Sequence, residues 1–179
     1  MIFKKSLIIG IGALFVLSGC HFTPLYRKEG VKDEQVVRYT RLIRVAPISD
    51  EIGQKMRWHL LDLLNPKKEK NPPQYVLKVE LNRYVEREQG IRSDNTATRA
   101  TMVMTAKYQL LESKTQEILI KDAVNTRASY NILTAPYATY VARREADENT
   151  VIVLSQDIAL RITAFFKNKT LFHKKTDKK

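Results

Sequence analysis

Between Tyr75 and Leu81 every second residue is apolar, and Lys78, Glu80 and Asn82 occupy the alternate positions. A period of two is that of a half-buried strand. The same alternation returns at Met102, Met104, Ala106, Tyr108 and Leu110, set against Thr101, Val103, Thr105, Lys107 and Gln109. Residues 113–116 read as a turn into a third run, Ile118, Ile120 and Val124, which extends to about Tyr130 and completes an antiparallel meander. Upstream, Tyr39, Ile43 and Val45 alternate within residues 36–46, interrupted by Arg41 and closed by Pro47, so this segment is expected to be the first strand.

Two segments carry the helical period instead. After Ser49 or Asp50, either of which can cap a helix, Ile52, Met56, Leu60, Leu63 and Leu64 recur at spacings of three and four until Asn65-Pro66 stops them. Past Pro136 no Pro or Gly appears through Phe166, and Val151, Leu154, Ile158, Ile162 and Phe165 form the stripe of a long helix. Its first half is polar, with Arg143, Arg144, Glu145, Asp147 and Glu148, so only the second half needs deep burial. The order β-α-β-β-β-α predicts an α+β, two-layer sandwich: two helices packed on one face of a four-stranded mixed sheet. Ile158 and Ile162 are expected to bury against Leu77, Val79, Met104 or Ala106.

The N-terminus changes the picture of where such a domain works. Residues 1–5 are basic, residues 7–17 are largely apolar, and the run ends in Leu17-Ser18-Gly19-Cys20. The stretch is shorter than the roughly 20 apolar residues that span a bilayer, and it has the form of a cleaved signal sequence. The ending resembles a bacterial lipobox, which implies cleavage before Cys20, attachment of a diacylglycerol to its thiol and acylation of the new amino group, with palmitate among the chains. A plain secretory signal and an N-terminal membrane anchor are the other readings of this segment. The expected organisation is a signal peptide at 1–19, a lipidated tether at 20–35, one domain at 36–166 and a basic, disordered tail at 167–179. The chain of 179 residues carries a net charge of +12, and removing Lys4 and Lys5 leaves +10, half of it in the tail. An exported chain does not meet nucleic acid where it works, so anionic lipid is the partner class that such a charge suggests.

Catalytic chemistry finds little to work with. Beyond residue 19 the glycines are Gly30, Gly53 and Gly90, too sparse for a phosphate cradle. A single cysteine and the histidines His21, His59 and His173 leave too few ligands for a zinc site and only His59 for a triad. The expectation is a protein that is not an enzyme, with no cofactor and no metal. What stands out is arginine around the strands: Arg83, Arg87, Arg92, Arg99 and Arg127. Its planar fork suits phosphate. Arg92 and Arg99 flank the polar loop before the second meander strand and Lys107 follows on that strand, so Arg92, Arg99, Lys107 and Arg127 are the candidate ligand-binding residues. A solvated basic face is the plainer alternative.

Cys20-His21-Phe22-Thr23-Pro24-Leu25-Tyr26 resembles the mature start of the LptE family, lipopolysaccharide-assembly lipoproteins, in its alphaproteobacterial form. Gly53-Gln54 with Arg57 and Leu60 is similar to that family's first helix, and Tyr75, Leu77 and Val79 to its next strand. Gly90-Ile91, Ala97-Thr98-Arg99, Tyr108 with Leu110, Tyr130-Asn131, Pro136-Tyr137-Ala138, residues 142–147 and Leu154-Ser155 follow in the family's order. His21, Arg27 in place of a usual glycine, and the lysine tail depart from it. The resemblance implies a lipoprotein of the outer membrane, facing the periplasm and the lumen of a large β-barrel, LptD, inside which it sits as a plug and assists lipopolysaccharide transport. The partners implied are that barrel, lipopolysaccharide and the outer membrane itself, through the lipid anchor. An envelope lipoprotein acting as a protein- or anionic-lipid-binding adaptor is the alternative, and a lipid-anchored hydrolase a third.

Overall fold

The computed structural model describes the backbone of residues 34–91 and 97–176 and the side chains of residues 34–84 and 98–169. The expected signal peptide at 1–19, most of the expected tether at 20–35 with Cys20, and Arg92 lie outside the described residues, as does the side chain of Arg87. Along the chain run α1 (Glu34–Arg41), β1 (Ile43–Val45), α2 (Asp50–Leu64), β2 (Tyr75–Ile91), β3 (Ala97–Glu112), β4 (Ile118–Asn131) and α3 (Pro136–Thr176). The four strands form one mixed sheet in the order β1-β2-β3-β4. β1 lies parallel to β2, and the other pairs are antiparallel. This is the α+β sandwich that the alternation of periods predicts, with one helix more.

The extra helix replaces most of the expected first strand. Val36 and Thr40 are buried four residues apart, one helical turn, and Tyr39 stacks on Phe166 of α3 at 5.3 Å between ring centroids. Tyr39 and Ile43 satisfy a helical spacing as well as an alternating one, and the strand that remains is three residues long. α2 begins at Asp50 after Ser49, whose side chain makes no capping bond. Its inner stripe is Gly53, Met56, Leu60 and Leu64, while Leu63 is exposed.

Two further boundaries move. The polar stretch after Glu86 is strand through Ile91, paired back to Ala97, so β2 and β3 form a hairpin of 17 and 16 residues with an irregularity between Val85 and Arg87. Ladder hydrogen bonds satisfy the backbone whatever the side chains are, and a hydrophobic pattern does not register them. α3 continues to Thr176, so residues 167–176 of the expected disordered tail are helical. Lysines have good helix propensity and here no glycine or proline interrupts them.

Val151, Leu154, Ile158, Ile162 and Phe166 are essentially inaccessible and meet Leu77, Met104, Ala106, Tyr108 and Leu110 in a single core, which Met56, Leu60 and Leu64 of α2 join. Both long helices therefore cover the same sheet face, and Ile158 and Ile162 lie where the period places them. The deep position at the end of the stripe is Phe166, four residues after Ile162, with Phe165 only partly buried beside it. Tyr75 closes on Phe166 from the sheet at 5.0 Å.

Candidate functional site

Residues directly opposite each other in an antiparallel pair share a face. Arg99, Val103 and Lys107 alternate with the buried Ala100, Met102, Met104 and Ala106 of β3, so they face away from the helices, and Arg127 of β4 is paired with Val103. Arg99, Lys107 and Arg127 are all exposed there. Lys78 and Lys121 flank Gln109 in the same face, and Lys107 stands opposite Glu80. The sequence-predicted residues that are described thus share one sheet face, on strands and not in loops. They do not converge. Eight residues separate Arg99 from Lys107, about 27 Å at roughly 3.4 Å per residue, and Arg127 sits midway. The arrangement is a strip of cations.

Arg83 behaves differently. It is paired with Met104, on the helix-covered face, and its Nη1 donates to Oδ2 of Asp147 on α3 at 2.5 Å. Asp147 is buried, and its Oδ1 has no hydrogen-bond partner. On the edge strand β4, Asp122 accepts from Nη1 of Arg161 of α3 at 2.7 Å, and Nε of Arg161 donates to Asp157 at 3.1 Å. Asp122 also accepts from the backbone N–H of Ala123, and this bond with the Arg161 contact holds its carboxyl below the usual range. Tyr108, under the same pair, is pushed up to about 12, chiefly by burial and then by the charge of Asp122.

The polar first half of α3 meets α2 through charges. Lys55 donates to Glu148, and Arg144 bridges Glu148 at 3.3 Å and Glu51 at 3.1 Å. The Lys55 bond, followed by that of Arg144, lowers the Glu148 carboxyl, and the same bond to Glu148 raises Lys55. Beside this network lies a cleft of about 260 Å³ walled by Arg83, Arg143, Arg144, Asp147, Glu51 and Tyr140. Sequence reasoning named Arg83 among the arginines and residues 142–147 among the family-like positions, but did not bring them together with Glu51 and Tyr140. The local signal was the i, i+4 pair Arg144 and Glu148. Among the described residues, no group of three His, Cys, Asp or Glu side chains gathers as a metal site, and no helix is long and apolar enough to cross a membrane.

No family model matches the chain. It is 26% identical over 151 residues to the uncharacterised protein RP188 of Rickettsia prowazekii strain Madrid E, across 84% of this chain and 91% of that one. A solved structure from Caulobacter crescentus, of a protein assigned as a lipoprotein, is similar with a TM-score of 0.61 at 23% identity, covering 75% of this chain and 96% of the other. A minor lipoprotein from Acinetobacter baumannii is similar with a TM-score of 0.55 at 16% identity, covering 69% and 92%. The sandwich of three helices on a four-stranded mixed sheet is thus a fold found in solved lipoprotein structures.

Proposed function

We propose that the chain is an outer-membrane lipoprotein, anchored through Cys20, that forms a plug-type complex with an LptD-like β-barrel and assists lipopolysaccharide transport to the cell surface. The observation that carries this reading is the coincidence of two independent features. Leu17-Ser18-Gly19-Cys20 has the form of a lipobox, and the domain behind it has the fold of the Caulobacter crescentus structure over nearly all of that chain. The ordered resemblance to the LptE family, from Cys20 to Ser155, supplies the finer assignment.

Physical chemistry supports the plug. The lumen of a large barrel is polar, and a sheet face bearing Lys78, Arg99, Lys107, Lys121 and Arg127 suits such a lumen and the anionic glycolipid that crosses it. Each charge-assisted contact is worth about 1.5–3 kcal/mol when shielded, so several spaced contacts hold an extended polyanion without a pocket. The test is affinity purification of the mature protein from outer membranes. The expected partner is a large β-barrel protein, and depleting the lipoprotein should reduce lipopolysaccharide at the cell surface. Recovery of soluble periplasmic proteins without a barrel would replace the plug with the adaptor reading.

A further inference from the structure

We infer that the cleft between β2 and the first half of α3 binds the phosphate of a phosphorylated sugar, through Arg143 and Arg144, with Arg83 set beside them by Asp147. This deepens the lipopolysaccharide reading and rests on it for the source of the phosphate.

The argument begins with unspent donors. A guanidinium carries five N–H groups. Arg83 uses Nη1 alone, on Asp147, and Arg144 uses Nε and Nη2, on Glu148 and Glu51. Arg143 lines the cleft half-buried and, among the described residues, makes no hydrogen bond or ion pair. Three guanidinium groups with donors to spare, Arg83 from β2 and Arg143 and Arg144 from α3, therefore line one cleft together with the carboxylates of Glu51 and Asp147.

Asp147 is the second observation. It is 5% exposed, and one of its two oxygens is left without a partner. A buried carboxylate with half its acceptors unmet carries a desolvation cost that its bond to Arg83 only partly offsets. What it achieves is to fix Arg83 at the rim, where the rest of the fork is free. Asp147 is thus a positioning residue. Its Oδ1 is sealed from solvent, so the ligand is met by the arginines and not by the acid.

Phosphate fits this geometry better than it fits the opposite face. Charge-assisted bonds act at about 2.7–2.9 Å, so one phosphate cannot bridge Arg99, Arg127 and Lys107, placed about 14 Å apart along the strands, and the closer group of Lys78, Lys107 and Lys121 offers single ammonium charges without a planar fork. In the cleft the three forks border a single volume. Tyr140, 58% exposed, lines the same cleft. Its ring is a platform for a sugar, which makes the ligand a sugar phosphate and not phosphate alone.

The experiment is an NMR chemical-shift titration of the full mature chain in detergent with glucosamine 1-phosphate, glycerol 1-phosphate, inorganic phosphate and unphosphorylated glucosamine. Glucosamine 1-phosphate is expected to bind best and glucosamine not at all. Arg143→Glu should weaken the sugar phosphate about tenfold or more with circular dichroism unchanged, since Arg143 holds nothing in the fold. Tyr140→Ala should remove its advantage over glycerol 1-phosphate. Unchanged affinity in Arg143→Glu overturns the site. Equal binding of glycerol 1-phosphate, with the same dependence on Arg143, overturns the sugar contact and points to a phospholipid headgroup; equal binding of inorganic phosphate points to free phosphate. Failure to recover a barrel partner overturns the transport reading and leaves this titration as it stands.

Discussion

At Gly53 a Cβ would lie 2.7 Å from Cγ2 of Ile48 and 3.2 Å from its carbonyl carbon. Two effects compete when alanine replaces it. Helix propensity favours alanine by about 1 kcal/mol, while overpacking a buried site costs about 1–3 kcal/mol. Ile48 is 2% exposed and branched at Cβ, so its methyl cannot swing aside, and the backbone atom behind it cannot move without shifting the connection from β1. Gly53→Ala is therefore expected to lower unfolding stability by about 1 kcal/mol, and Ile48→Ala in the same chain should cancel part of the loss. A urea denaturation cycle checks this, and a more stable Gly53→Ala would mean that the connection relaxes. The neighbouring residues explain why the Gly53-Gln54 and Arg57 spacing was legible in the sequence. Gln54 donates to the carbonyl of Ile48, and Arg57 donates to that of Val45 at 3.3 Å. The motif fastens α2 to β1, which is packing and not ligand chemistry.

Between elements, α3 is tied to β2 and to β4 by arginine–carboxylate pairs, Arg83 with Asp147 and Arg161 with Asp122, and to α2 by Lys55, Glu148, Arg144 and Glu51. Asp122 and Glu148 both titrate below their ordinary values. A depressed carboxyl favours the fold at pH values above its unfolded pKa, near 4, and the contribution is lost as pH falls through the folded value. The melting temperature is thus expected to drop below about pH 4, and Arg161→Gln should flatten that drop, lowering the melting temperature at neutral pH more than at pH 3. Equal losses at both pH values would show that Arg161 acts through packing alone. The elements themselves were legible to different degrees. The stripe of α3 could be read because five deep positions keep the helical period, whereas α1 could not, because Tyr39 falls in phase with Ile43 and Val45, which do form a strand. The distal hairpin was missed because the backbone ladder, and not apolar burial, extends it.

For the molecule as a whole, the basic residues were legible as a group, yet their distribution was not. Arg99, Lys107 and Arg127 read as one site become a strip once the strands prove long, and Arg83, counted with them, turns to the other face and meets Asp147, 64 positions along the chain. A pairing of that separation leaves no local trace. The proposed membrane attachment poses the same question of which charges and chains act together. The helical end of α3 carries Lys167, Lys169, Lys174 and Lys175, and lysines near an anionic surface contribute about 1 kcal/mol each, an attraction that salt screens. Acyl chains on Cys20 would contribute about 0.8 kcal/mol per buried CH₂, so two or more hold almost irreversibly and are indifferent to salt. Cys20→Ala is therefore expected to abolish incorporation of labelled palmitate and to leave a protein that high salt strips from membranes, in cells depleted of the proposed barrel partner. Wild-type protein in the same cells should stay in the pellet through the wash. A Cys20→Ala protein that still takes up label, or that resists the wash as the wild type does, would place the anchor elsewhere in the chain.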